Sequence, residues 1–203
     1  MASAPVYDER LVADVTRPLV GIDVDGVLNA LGDGLDPEAY RTGRALGYRM
    51  QVRVDLAAVM APLLQLAEAG RCDLFWASMW EGAAAWEIAP LVGFGADWPH
   101  LAFTRPDDRS SVEERRAYQE QVHAFAAEGV YFKSPYVGDL AAAARRPLIW
   151  VDDECGVDDE RYFAAREDIP APVRCVACDA STGIGPRQVA EIVSLVETAP
   201  ASG

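Results

Sequence analysis

With 203 residues, 51% of them hydrophobic and 25% charged, the chain has the size and composition of one globular domain with a substantial core. Its net charge of −14 argues against general affinity for nucleic acid or anionic membranes, which relies on Lys and Arg neutralising phosphates. Four cysteines are too sparse for a disulfide scaffold, no window approaches the roughly 18 apolar residues of a membrane span, and the N-terminus carries acids where a secretion signal is basic and then apolar; a reducing cytoplasm is the expected setting.

Residues 1–17 read as a polar, loosely held arm, followed by a single domain over 18–199 with small insertions at about 30–54 and 95–129. Leu19 to Val24 is an apolar run of the kind that forms a buried strand, and alternation along it would point Asp23 and Asp25 the same way. Gly26 then allows a turn. Ala30 to Arg44 is rich in Gly, Asp and Pro and reads as loop, while Tyr48 to Val54 alternates as an exposed strand or half a hairpin. Asp55 is placed to cap a helix with apolar residues from Leu56 to Ala67 and a stop at Gly70; Pro62 predicts a kink or a late start. Cys72 to Ala77 is a second buried strand, closed by Ser78. Ala83 to Leu91 reads as helix and Gly93 to Pro99 as loop.

Ser111-Val-Glu-Glu114 is a capping box for a helix to about Glu128, with a narrow apolar stripe of Tyr118, Val122 and Phe125. Pro135 to Ala144 reads as helix, Pro147 to Val151 as a third buried strand, and Val173 to Ala177 as a fourth. Cys175 and Cys178 form a C-x-x-C, but in an apolar run they read as strand residues rather than a redox or zinc pair. Asp158 and Asp159 are expected on the surface. A terminal amphipathic helix begins at Pro186 and carries Val189, Ile192, Val193 and Val196. Buried strands alternating with helices predict an α/β fold: a Rossmann-like, doubly wound parallel sheet.

Open parallel sheets hold ligands at the carboxyl ends of their strands. Three predicted strands carry polar groups there: Asp23 and Asp25, then Ser78, then Asp152 and Asp153. Before the last pair lies Lys133, the only lysine in the chain. In this order DVDGV, the Ser78 that closes LFWAS, Lys133 and WVDDE resemble the four motifs of the haloacid dehalogenase (HAD) superfamily of phosphohydrolases. The finer pattern, GIDVDGVLN with WASMWE, FK, PLIWVDDE and a TGIG-helix, is similar to the small HAD domains associated with bacterial RNA-repair proteins. The resemblance implies a HAD-like sheet; residues 29–71 and 79–130 allow only small elements, so at most a minimal cap over an open site is expected.

It also implies a phosphomonoester hydrolase acting through an aspartyl-phosphate, with Asp23 as nucleophile and Asp25 as general acid and base. Ser78 and Lys133 would bind the phosphoryl group. Four carboxylates beside an anionic substrate exceed what one lysine can balance, so Mg²⁺ is expected. Asp23 and Asp152 would be direct ligands, with the backbone carbonyl of Asp25 added by resemblance. Asp153 would bind through water or orient Lys133.

Other readings of the motifs fail on spacing. An EF-hand counted from Asp23 requires Gly and Glu where Leu28 and Gly34 stand. The single lysine is not in a P-loop, and no serine lies in G-x-S-x-G. The alternative from another class is a non-catalytic phosphate-binding or interaction module on the same fold. The expected partner is a phosphorylated small molecule, a nucleotide or a nucleic-acid terminal phosphate; no extended strand or membrane is expected. Arg105, Arg109, Arg115 and Arg116 alternate with Asp107, Asp108, Glu113 and Glu114 and read as a self-neutralised surface. Trp80, Glu81 and Trp86 either border the entrance to the site or pack the core.

Overall fold

Short Val-, Ile- and Trp-rich runs between polar turns become strands here because their residues are apolar on both sides and need cover on both. The computed structural model describes residues 7–13, 16–94, 97–103, 105–106 and 109–199. In chain order these form β1 (Leu19–Ile22), β2 (Tyr40–Ala45), β3 (Tyr48–Arg53), α1 (Leu56–Glu68) and β4 (Asp73–Trp76). A π-helical turn (Ala84–Ile88) runs into α2 (Ala89–Val92), followed by α3 (Val112–Ala127), α4 (Ser134–Ala144), β5 (Leu148–Asp152), α5 (Val157–Ala165), β6 (Val173–Ala177) and α6 (Pro186–Thr198).

All four expected strands are present and parallel, in the order β4-β1-β5-β6, but the edge strand β6 is not buried as expected: it buries Val173 and Val176 and exposes Arg174 and Ala177. Successive side chains go to opposite faces. Val20, Ile22, Leu74, Trp76, Ile149 and Val151 pack under α1 and α6, with Leu56, Met60, Leu63, Val189, Ile192 and Val196. Leu19, Phe75, Leu148, Trp150 and Val173 pack on the other face with Val137 and Leu140 of α4 and Phe163 of α5. The fold is therefore a four-stranded parallel sheet flanked by helices, compatible with a Rossmann-like arrangement. Among the described residues no helix is long and apolar enough to cross a membrane.

Several local expectations hold. Ser111 Oγ accepts from the Glu114 N–H and the Glu114 carboxylate accepts from the Ser111 N–H, at 3.1 and 2.7 Å. Tyr118, Val122 and Phe125 are the partly covered residues of an otherwise exposed α3. Gly70, at φ 68°, ends the turn after α1. The C-x-x-C cysteines, expected as buried strand residues, meet that only in part: Cys175 lies in β6 but is half-buried, and Cys178 is buried one residue past the strand.

Others are corrected. β1 stops at Ile22, two residues early, because the N–H groups of Leu28 and Asn29 both turn back to the Val24 carbonyl at 2.8 Å. The expected loop to Arg44 gives way at Tyr40 to β2, which lacks an apolar pattern and owes its form to pairing with β3, from Tyr40–Arg53 to Ala45–Tyr48. Asp55 sits at the helix start without capping it; its carboxylate takes the Arg53 guanidinium at 2.8 and 2.9 Å. α1 begins at Leu56, undelayed by Pro62. α5 was not expected, and its acidic first turn of Asp158, Asp159 and Glu160 favours the helix N-terminus. Asp159 is buried, not on the surface. The arm is docked where it is described: Leu11 is buried, and the buried Arg146 guanidinium donates to the carbonyls of Arg10, Leu11 and Arg17.

Candidate active site

Parallel pairing brings the ends of β1 and β5 side by side, with Ile22 opposite Val151 and the Asp23 N–H donating to the Val151 carbonyl at 3.0 Å. Asp23 and Asp152 thus emerge from neighbouring strands. Lys133, at the position preceding α4, reaches across both: Nζ donates to Asp23 Oδ2 at 2.6 Å and to Asp152 Oδ2 at 2.9 Å. All three side chains are buried. The ammonium also lies 5.4 Å from the centre of the Tyr131 ring. The other carboxylate oxygens are held by backbone, Asp23 Oδ1 by the Val24 N–H at 2.7 Å and Asp152 Oδ1 by the Glu154 N–H at 3.0 Å.

Asp153 completes the group. One oxygen from each of Asp23, Asp152 and Asp153 lies within 4.8 Å of the others. The Asp153 carboxylate fits there because residue 26 is glycine: a Cβ on Gly26 would lie 2.2 Å from Asp153 Cγ, and its φ of +75° suits glycine alone. The turn is buttressed from behind by the TGIG segment, where the Ile184 N–H donates to the Val27 carbonyl at 2.8 Å.

Three carboxylates lie beside one ammonium, which bonds to two of them, so their full ionisation would leave surplus negative charge in a largely buried space. Burial, then the neighbouring Asp23, push the Asp152 carboxyl up to about 8 despite Lys133. Burial also raises Asp153. Burial acts to lower Lys133, but Asp23 and Asp152 outweigh it and hold the lysine above its ordinary value. The donor set is all oxygen, two thirds of it buried, and short of positive charge, which fits a hard divalent cation.

Asp25 stands apart from this cluster. Its Oδ1 accepts from Asn29 Nδ2 at 2.7 Å and its Oδ2 from the Trp80 indole N–H at 2.8 Å. Asn29 is fixed in turn by the Gln51 N–H of β3, 2.8 Å from its Oδ1. Asp25 is therefore tied to the β2–β3 hairpin on one side and to the segment after β4 on the other. Ser78 is buried at the end of β4, where the Ala77 N–H donates to the Ile22 carbonyl at 2.9 Å.

Sequence reasoning named Asp23, Asp25, Ser78, Lys133, Asp152 and Asp153; the structure gathers Asp23, Lys133, Asp152 and Asp153 directly, and places the Asp25 side chain on Trp80 and Asn29. Trp80 is half-buried at this site, whereas Trp86 is exposed and Glu81 accepts from the Phe103 N–H at 3.0 Å. The residue whose role was misread is Asp159, expected on the surface and found buried beneath Lys133. Its carboxylate takes the Tyr131 N–H at 2.8 Å, the Ser134 hydroxyl, and the Gly156 N–H at 2.8 Å, pinning both sides of Lys133 to the loop after β5. The one local signal was its place three residues after Gly156, where it closes the α5 cap. Comparison with protein-family models, curated proteins and solved structures finds no match to this chain, so its function has to be read from the site.

Proposed function

We propose that the protein is a Mg²⁺-dependent phosphomonoester hydrolase of the HAD type, acting through an aspartyl-phosphate. The observation that carries this reading is Lys133, buried and bonded to both Asp23 and Asp152, with Asp153 alongside. Asp23, Asp152 and Asp153 would hold the cation, which when bound offsets the surplus charge and polarises the phosphoryl oxygens.

The chain's own groups supply the remainder. Lys133 spends two of its three N–H donors on carboxylates and keeps one for a phosphoryl oxygen. Ser78 offers its hydroxyl from the adjacent strand end. Asp23 attacks phosphorus in line, forming the Asp23–phosphorus bond as the bond to the ester oxygen breaks. Asp25 gives that oxygen its proton, so the alcohol leaves neutral. A carboxylate has about four lone-pair sites, so each Asp25 oxygen keeps one beside its bond to Asn29 or Trp80. Water then attacks the aspartyl-phosphate, Asp25 takes its proton, and phosphate departs from a restored Asp23 carboxylate.

The test is Mg²⁺-dependent phosphate release from a panel of phosphomonoesters by the wild type and Asp23→Asn. The substitution should abolish turnover, and quenched wild-type reactions should show one phosphoryl group on the peptide containing Asp23. Undiminished turnover in Asp23→Asn would exclude the covalent route, and phosphate binding with no turnover in the wild type would favour the non-catalytic module.

A further inference from the structure

A cleft of about 490 Å³ opens beside Asp25, walled by Asn29, Leu31, Leu46, Tyr48, Arg49, Met79, Trp80 and Arg105 among others. Of the eight large hydrophobic residues exposed among the described ones, three line this cleft: Leu31, Leu46 and Tyr48. Such clustering marks a contact surface, where scattered apolar residues would not. Tyr48 meets Trp80 edge-to-face, with ring centres 5.8 Å apart, so two aromatic rings stand on one wall. Two arginines, Arg49 and Arg105, also line it, the Arg49 guanidinium donating to Gln51 Oε1 at 3.1 Å, in a chain of net charge −14.

The hairpin tip gives an independent sign. Ala45 pairs with Tyr48, leaving Leu46-Gly47 as a two-residue turn with φ +46° and +85°. Such turns favour Asn-Gly because both residues are left-handed, a conformation leucine adopts only at a cost. Leu46 nevertheless occupies it, and the residue is 60% exposed and lines the cleft. A strained, exposed leucine is explained by what it touches when the cleft is filled.

We infer that this cleft receives the leaving group of the phosphomonoester, and that the preferred leaving group is a planar aromatic or heteroaromatic ring bearing a second anionic group. The inference rests on the hydrolase reading only in where the phosphoryl group lies. The cleft touches Asp25, the proposed proton donor to the leaving oxygen, and so is the side from which the alcohol departs. The ring packs against Leu46, Tyr48 and Trp80, and the second anion meets Arg49 and Arg105. The neighbouring cavity of about 360 Å³ shares Met79 and Arg105 but is lined by Phe132 and not by Asp25.

The experiment compares five esters with Mg²⁺. Glycerol 2-phosphate has no ring. Phenyl phosphate and adenosine 5′-monophosphate have a ring alone. 4-Carboxyphenyl phosphate and adenosine 3′,5′-bisphosphate have both features, and their ratio distinguishes a simple aromatic acid from a nucleotide. Both kcat/KM for the wild type and calorimetric affinity for Asp23→Asn are measured. Each feature should raise efficiency or affinity by about tenfold, the scale of one aromatic contact or one charge-assisted pair. Tyr48→Ala should shrink the gain from the ring, and Arg49→Ala with Arg105→Ala the gain from the second anion. Leu46→Asn should raise the melting temperature while lowering the ring preference. Hydrolysis of all five at similar efficiency, with ratios unmoved by these variants, would overturn the inference and leave the hydrolase standing. No hydrolysis, with the affinity ladder intact and sensitive to the variants, would do the reverse. A flat ladder without hydrolysis would end both.

Discussion

Binding of a divalent cation should stabilise the protein strongly at pH 8 and weakly at pH 6, with Asp152 as the cause. Without a cation, burial and Asp23 hold the Asp152 carboxyl up to about 8, against 3.8 as its ordinary value. A folded-state carboxyl that binds its proton more tightly than the unfolded chain contributes stability that is complete below about pH 4. That contribution is lost as pH rises through about 8. A cation ligand must be ionised, so protons compete with the cation. At pH 6 about one site in a hundred has Asp152 ionised, and at pH 8 about half do, a difference of about 2 kcal/mol in apparent cation binding. For a chain of this size that is a difference of about 4–8 °C between the two melting-temperature shifts. The assay is thermal unfolding with and without Mg²⁺ at both pH values, for the wild type and Asp152→Asn. The variant should lose most of the shift and its pH dependence. Equal shifts at both pH values, or a full shift in the variant, would refute the placement of the cation at Asp152.

Two further substitutions test the supports of the site. Gly26→Ala should cost about 1–2 kcal/mol from the left-handed backbone alone and more from displacing the Asp153 carboxylate, so urea unfolding should shift and the Mg²⁺ response weaken together; wild-type values of both would mean that Asp153 is not held by this turn. Asp159→Asn sets an amide N–H against a backbone donor and should destabilise by about 2–4 kcal/mol, whereas Asp158→Asn at the half-buried neighbour, which loses only a surface pair with Arg161 and a charge at the helix start, should change stability by no more than about 1 kcal/mol. Equal effects of the two in chemical denaturation would remove Asp159 from its role beneath Lys133.

Much was legible in the sequence because the signals act over a few residues. The four strands are apolar runs, the α3 start is a capping box whose two bonds both form, and the partly covered stripe on that helix is the one its spacing marks. The order of polar residues at strand ends, with the single lysine between them, also pointed to Asp23, Lys133 and Asp152, although 110 residues separate Asp23 from Lys133. Parallel packing converts that order into proximity, because every strand presents its carboxyl end to the same edge. The tertiary structure alone decided what long-range partners determine. β2 is a strand because β3 pairs with it, and Asp159 is buried because Tyr131 and Ser134 bring donors to it. Asp25 turns to Trp80 and Asn29 because the chain leaves β1 at Ile22, so strand alternation no longer governs its direction. Local patterning sets which segments become strands and helices; the direction and burial of a polar side chain depend on donors that the fold delivers from elsewhere in the chain.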